Sequence, residues 1–159
     1  MISFTVYKRY RKSNMTTTIF EKIINREIPA TIVYEDEIVV AFLDNSPVHP
    51  GHTLVVPRKP VVNMFDADPE IIAHMARVAQ QIAIAIKEVV QAEGVNLHMN
   101  NGAAAGQEVF HAHMHVVPRY ENDESYQKPK KRTYDDTGAD ATALGEQLAN
   151  ALPVRPAAD

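Results

Sequence analysis

Hydrophobic positions change period several times along this chain, and each change marks an element. Ile19, Phe20, Ile23 and Ile24 form a helical stripe behind Thr18-Ile-Phe-Glu21. That start is a capping-box pattern, in which the Thr hydroxyl and the Glu carboxylate satisfy backbone donors at a helix N-terminus, so a short helix ending before Pro29 is predicted. β-branched and aromatic residues over 31–34 and 38–43, separated by polar Glu35-Asp36-Glu37, predict a hairpin. Pro47, Pro50 and Gly51 make 44–51 a loop, and 53–56 is a third strand stopped by Pro57.

Asp68-Pro69-Glu70 supplies an N-cap, a proline at the first helical position and an acid at the positive end of the dipole. Ile71, Ile72, Met75, Val78, Ile82, Ile86 and Val89 then recur at helical spacing, which predicts one long amphipathic helix to about residue 92, stopped by Gly94. A strand at 95–99, a Gly- and Ala-rich loop at 100–107 and a strand at 110–117 follow, in a largely antiparallel sheet. After Arg119 the chain turns polar until 141–152, a last short helix, and Lys128-Pro-Lys-Lys-Arg132 reads as a solvated loop. The division expected is a flexible extension over 1–14, one domain over 15–120 and a C-terminal tail over 121–159.

Composition narrows the class. With 159 residues, 45% hydrophobic and 23% charged, the chain is the size and make-up of one soluble domain. A net charge of -4 gives no global attraction to nucleic acid or an anionic membrane, so an anionic ligand must be held by local donors. The absence of cysteine removes disulfides, thiolate nucleophiles and Cys-based zinc sites. The longest apolar stretch, 82–90, is broken by Lys87 and Glu88, well short of the roughly 18 residues that span a bilayer, and 1–14 lacks the order of a signal peptide. A cytoplasmic protein with neither a nucleic acid nor a membrane partner is expected.

The candidate chemistry lies in His111-Ala-His113-Met-His115, followed by Val116-Val117. Three of the seven histidines fall within five positions; on a strand, whose side chains alternate, all three imidazoles stand on one face. Neutral imidazole can ligate a metal, attack an electrophilic phosphorus or shuttle protons. Zinc would need further ligands, and His52 and His98 have no diagnostic spacing. The loop Asn100-Asn-Gly-Ala-Ala-Ala-Gly106-Gln107 offers backbone amides with little side-chain obstruction, so it can cradle a phosphate beside a nucleophile. That juxtaposition favours phosphoryl or nucleotidyl transfer. His49, His74 and His98 are read as structural or solvated.

With these residues in view, the chain resembles the histidine-triad (HIT) superfamily, whose signature residues 111–117 match in full. The likeness runs from about Thr18 to Arg119 through Glu27-Ile-Pro-Ala, Ala41-Phe-Leu-Asp44, Pro50-Gly-His52, Leu54-Val-Val-Pro-Arg58, Asn100 and Gly106-Gln107. It is most like the histidine-triad nucleotide-binding (Hint-like) branch, although Val-Val-Pro118-Arg119 is also similar to the fragile-histidine-triad branch. The resemblance implies an α+β fold: a five-stranded antiparallel sheet with one long and one short helix, paired into a homodimer with a ten-stranded sheet.

It also implies hydrolysis of purine nucleotide conjugates, AMP or GMP derivatives such as nucleoside phosphoramidates. His113 would be the nucleophile on the α-phosphorus, His115 would contact phosphate oxygens, and His111 would order the site with His52. Asn100 and Gln107 would bind phosphate or leaving group, with Gly106, Glu108 and Val109 beside them. Asp44 would take the ribose hydroxyls, and Phe20, Ile23, Ile28, Phe42 and Leu54 would form an apolar base slot. Two alternatives stand beside this reading: a dinucleoside polyphosphate hydrolase and a non-catalytic nucleotide-binding module. No cofactor and no metal is expected, because the Cys-X-X-Cys pair with which some members hold structural zinc is replaced by Thr18 and Glu21. Glu108 stands where the family commonly has Ser or Thr, putting a carboxylate near the leaving group.

Overall fold

The computed structural model describes residues 17–123 and 132–153. The expectations for 1–14 and for all but Arg132 of the basic cluster lie outside the described residues. Thr18 caps α1 (Ile19–Ile24) through the reciprocal box its sequence predicts, its hydroxyl accepting from the Glu21 N–H while the Glu21 carboxylate accepts from the Thr18 N–H at 2.7 Å. Next come β1 (Ile32–Glu35), β2 (Val39–Leu43), β3 (Thr53–Pro57), α2 (Pro69–Val89) and β4 (Gly94–His98). A single 3-10 turn (Ala103–Ala105), β5 (Met114–Arg119), the one-turn α3 (Tyr134–Thr137) and α4 (Ala141–Ala151) complete the described chain. All pairings are antiparallel, in the order β1-β2-β3-β5-β4. No described helix is long and apolar enough to cross a membrane.

The strands of this sheet are apolar on both faces because both are covered. Val39, Ala41, Leu43, Val55 and Val116 meet Met75, Val78, Ile82 and Ile86 of α2 in the main core. Val40, Phe42, Leu54 and Val56 face the other way and pack with Phe20 and Ile23 of α1. Strand alternation thus sends β2 residues into two separate clusters, one structural and one beside the histidines.

Three sequence expectations need correction. β5 begins at Met114 rather than near residue 110, so His111 and His113 precede the ladder; the Ala112 amide bonds instead to the Val61 carbonyl at 2.7 Å, drawing this stretch toward the 61–66 loop. A one-turn helix, α3, joins the three helices that the sequence predicts. And the main core continues past residue 120, since α4 buries Leu144 and Leu148 in it. A short apolar stripe within a polar segment carries little periodic signal, which is why α4 looks peripheral in sequence.

Asp36, in the β1–β2 turn, ties that hairpin to α2. One carboxylate oxygen accepts the Ile38 and Val39 amides, each at 2.8 Å, and the other accepts from Tyr34 at 2.8 Å and meets His74 Nε2 at 2.7 Å. Burial alone would raise the carboxyl pKa, but these donors outweigh it and bring it down to about 2. A pKa depressed in the folded state adds stability above the unfolded value of 3.8 and loses it as pH falls toward 2. Asp36→Asn is therefore expected to lower stability by about 1–3 kcal/mol at pH 7, read by urea denaturation, with the deficit shrinking as pH drops through that window.

Candidate active site

Each histidine of the site has its tautomer set by a backbone group or a neighbour. The His113 Nδ1–H donates to the His111 carbonyl at 2.7 Å, so its Nε2 keeps a lone pair. The Val48 amide donates to His52 Nδ1 at 3.2 Å, so the neutral His52 ring carries its proton on Nε2. That N–H points at His115 Nδ1, 2.9 Å away, with Asp44 Oδ2 at 3.6 Å. His115 in turn carries its proton on Nε2. A nucleophilic nitrogen and a hydrogen-bond donor are thus produced on two rings whose centroids are 5.0 Å apart.

Burial keeps these rings neutral. Desolvation pushes His113 below its ordinary 6.5, opposed by the bond to the His111 carbonyl and by the Asp44 charge. Burial, together with the surrounding histidines, drives His52 down to about 4 and His115 further still. A neutral His113 is a competent nucleophile at pH 7, and a neutral His115 can donate but does not add a fixed positive charge.

His111 is engaged elsewhere. Its Nε2–H donates to the Pro57 carbonyl at 2.8 Å, and its Nδ1 accepts from the Thr18 hydroxyl at 3.2 Å. The ring that His52 holds is His115. His111 fixes the segment whose carbonyl orients His113. Thr18, the cap of α1, enters the site only through this contact, which its sequence position does not announce.

The apolar residues expected near a base do gather. Phe20, Ile23, Phe42 and Leu54 form one buried cluster, with Ile28 and Val109 packed against it. Phe20 stands edge-on to His113, centroids 5.0 Å apart, joining the apolar cluster to the nucleophile. Asp44, at the end of β2, is half-buried and accepts the Ser46 amide at 2.9 Å. Glu108 is exposed.

Gln107 departs from expectation. It is 3% exposed, and its amide is spent on the protein: Oε1 accepts from the Gly102 amide at 2.8 Å and meets Asn63 Nδ2 at 3.4 Å, while Nε2 donates to the Val62 and Val109 carbonyls. Gln107 therefore pins the 61–66 loop to the loop before His111 and has no donor left for phosphate. The proposed amide cradle is largely closed for the same reason, because the amides of Gly102, Ala105, Gly106 and Gln107 all bond within the loop. Gly106 completes that turn at φ +82°, a left-handed conformation that glycine takes without strain. Asn100 Nδ2 donates to the Gly106 carbonyl at 3.2 Å, again supporting the loop. Buried Asn63 escaped sequence reasoning, as nothing local marks it as the partner of a residue 44 positions away.

His98 was also missed. It is exposed, yet its ring lies on that of His115, centroids 4.5 Å apart and planes within 9°. Only the register of β4 on β5 brings the two together.

Metal chemistry fits the donors poorly. Asp44, His52 and His115 have ligand atoms within 4.8 Å of one another. A ring metallated at His52 Nε2 would, however, hold its proton on Nδ1, against the Val48 N–H that now donates there. Thr18 and Glu21 are committed to capping α1, and a neutral hydroxyl is a weak zinc ligand.

Comparison with known proteins agrees with this architecture. The sequence model of the HIT domain matches residues 25–122. The chain is 43% identical over 118 residues to protein hit of Bacillus subtilis, covering 74% of this chain and 81% of that one. It is 38% identical over 105 residues to an adenylylsulfatase of Arabidopsis thaliana, 66% of this chain and 53% of that protein. Among solved structures, a zinc-bound histidine triad family protein from Mycobacterium smegmatis superposes with a TM-score of 0.75 at 38% identity, covering 85% of this chain and 92% of that one.

Proposed function

Because the chain belongs to the HIT-domain family, we propose that it hydrolyses nucleotide conjugates at the α-phosphorus, with purine nucleoside phosphoramidates and related AMP or GMP derivatives as substrates. The observation that carries this reading is the bond from His113 Nδ1 to the His111 carbonyl, which leaves Nε2 unprotonated beside the His115 donor. Likeness to an adenylylsulfatase supports an adenylyl group with a variable leaving group.

In the first step His113 Nε2 forms a bond to phosphorus and the phosphorus–nitrogen bond to the leaving amine breaks. The amine departs with that electron pair and takes a proton from solvent. His115 Nε2–H donates to a phosphoryl oxygen as negative charge builds on it. Water then attacks the nucleotidyl-histidine, the new bond to His113 breaks, and AMP and a neutral His113 are released while the water proton returns to solvent. Asp44 accepts the ribose hydroxyls, and the cluster around Phe20, Phe42 and Leu54 takes the base. Two copies would pair through β4, the sheet edge among the described residues, where Leu97 is 47% exposed.

Release of AMP from an adenosine phosphoramidate tests the reading, followed against pH. Activity needs neutral His113, whose pKa lies below 6.5, so kcat/KM should be flat above neutrality and fall only on the acid side of 6.5. An acid limb centred at or above 6.5, or no AMP release, would overturn it. Chelators should leave the rate unchanged.

A further inference from the structure

Cross-strand register lays a single row of side chains over one face of the sheet. Ile32 stands opposite Phe42, Phe42 opposite Leu54, Leu54 opposite His115, and His115 opposite His98. The row begins among the apolar residues and ends in imidazoles at the sheet edge. His98 is its last member, since β4 is the edge strand of the sheet among the described residues.

His115 depends on this neighbour more than its own bonds suggest. The His52 N–H holds its Nδ1, but one hydrogen bond at one nitrogen leaves the ring free to pivot about that contact. Three rings restrict the pivot: His113 approaches at 61°, His52 at 40°, and His98 lies parallel at 9°. Only the parallel contact defines the plane of the His115 ring, and hence the direction of its outward Nε2–H. The ring of His98 also covers the His115 face that the sheet edge would otherwise leave to water.

We infer that His98 is a positioning residue: stacked on His115 from the edge strand, it sets the plane in which the phosphate-facing N–H is presented. It acts through the area of its ring, so a flat aromatic without nitrogen can replace it and a small side chain cannot. The consequence for turnover rests on the function proposed above, whereas the stack itself does not.

The test uses His98→Ala and His98→Phe in the full chain, with thermal unfolding as a check on folding, which an exposed position should leave intact. Turnover of an adenosine phosphoramidate is measured beside long-range 15N–1H spectra of the His115 ring. His98→Ala is expected to lower kcat about tenfold with KM within about twofold, as for a donor misaimed in the transition state, while His98→Phe stays within about twofold of wild type. The spectra should show His115 protonated on Nε2 in all three proteins, since the His52 bond persists, with sharp ring signals in wild type and His98→Phe and shifted, exchange-broadened ones in His98→Ala, where the ring plane is no longer held. An unchanged His115 spectrum and kcat in His98→Ala, or equal losses in both variants, would overturn the inference. If wild type released no AMP, the function would fail while the spectra still decided the stack.

Discussion

His113→Ala should abolish release of AMP from adenosine phosphoramidates, with kcat down by about 10³-fold or more, while folding and AMP binding persist. The size of the effect follows from where the ring sits. Of His52, His111, His113 and His115, only His113 keeps a lone pair that no donor occupies, at Nε2 of a ring aimed by the His111 carbonyl, so none of the other three can form the bond to phosphorus when it is removed. His111 and His52 hold their lone pairs at Nδ1, where the Thr18 hydroxyl and the Val48 amide already donate. His115 uses its lone pair for His52. A substitution at any of these three should reduce the rate without replacing the chemistry. Wild-type turnover by His113→Ala, measured on protein free of contaminating hydrolase, would remove the nucleophile from the account.

The second large effect is expected at Gln107. Its side chain joins the Val62 and Val109 carbonyls, the Gly102 amide and Asn63, all within a buried junction. Gln107→Ala would strand these groups away from water. A single unsatisfied buried group costs about 1–3 kcal/mol, and several are at stake, so a loss of at least about 2 kcal/mol in denaturant unfolding is expected. Activity should fall as well, by about 10²-fold, because the pinned loop leads directly into His111, whose carbonyl aims His113. If Gln107 instead bound phosphate directly, alanine there would raise KM and leave stability unchanged, an outcome that would reverse the assignment made here.

Local chemistry made much of this protein legible from its residues. Thr18 with Glu21, and Asp68 with Pro69, mark helix starts through short-range bonds that need no tertiary context. β-branched and aromatic content over 38–43, and the short run over 53–56 stopped by Pro57, likewise predict strands that the structure contains. The triad itself is visible because three histidines at spacing two are rare. What escaped reading is set by register and by loop packing. Residues 110–113 look like strand, but the Val61 carbonyl competes for the Ala112 amide and pulls them off the ladder. Gln107 looks like a ligand-binding amide until its partners, up to 45 residues away, are known. His98 looks solvated until β4 is aligned on β5. Each miss is a long-range pairing, invisible to periods of two or 3.6.

The stereochemical course at phosphorus tests the central claim most directly, because it does not require an intermediate to accumulate. A P-chiral adenosine phosphorothioate amide hydrolysed in 18O water should give product with retained configuration, since attack by His113 and then by water inverts phosphorus twice. Net inversion would mean that water displaces the amine in one step and would contradict a nucleotidyl-histidine at His113.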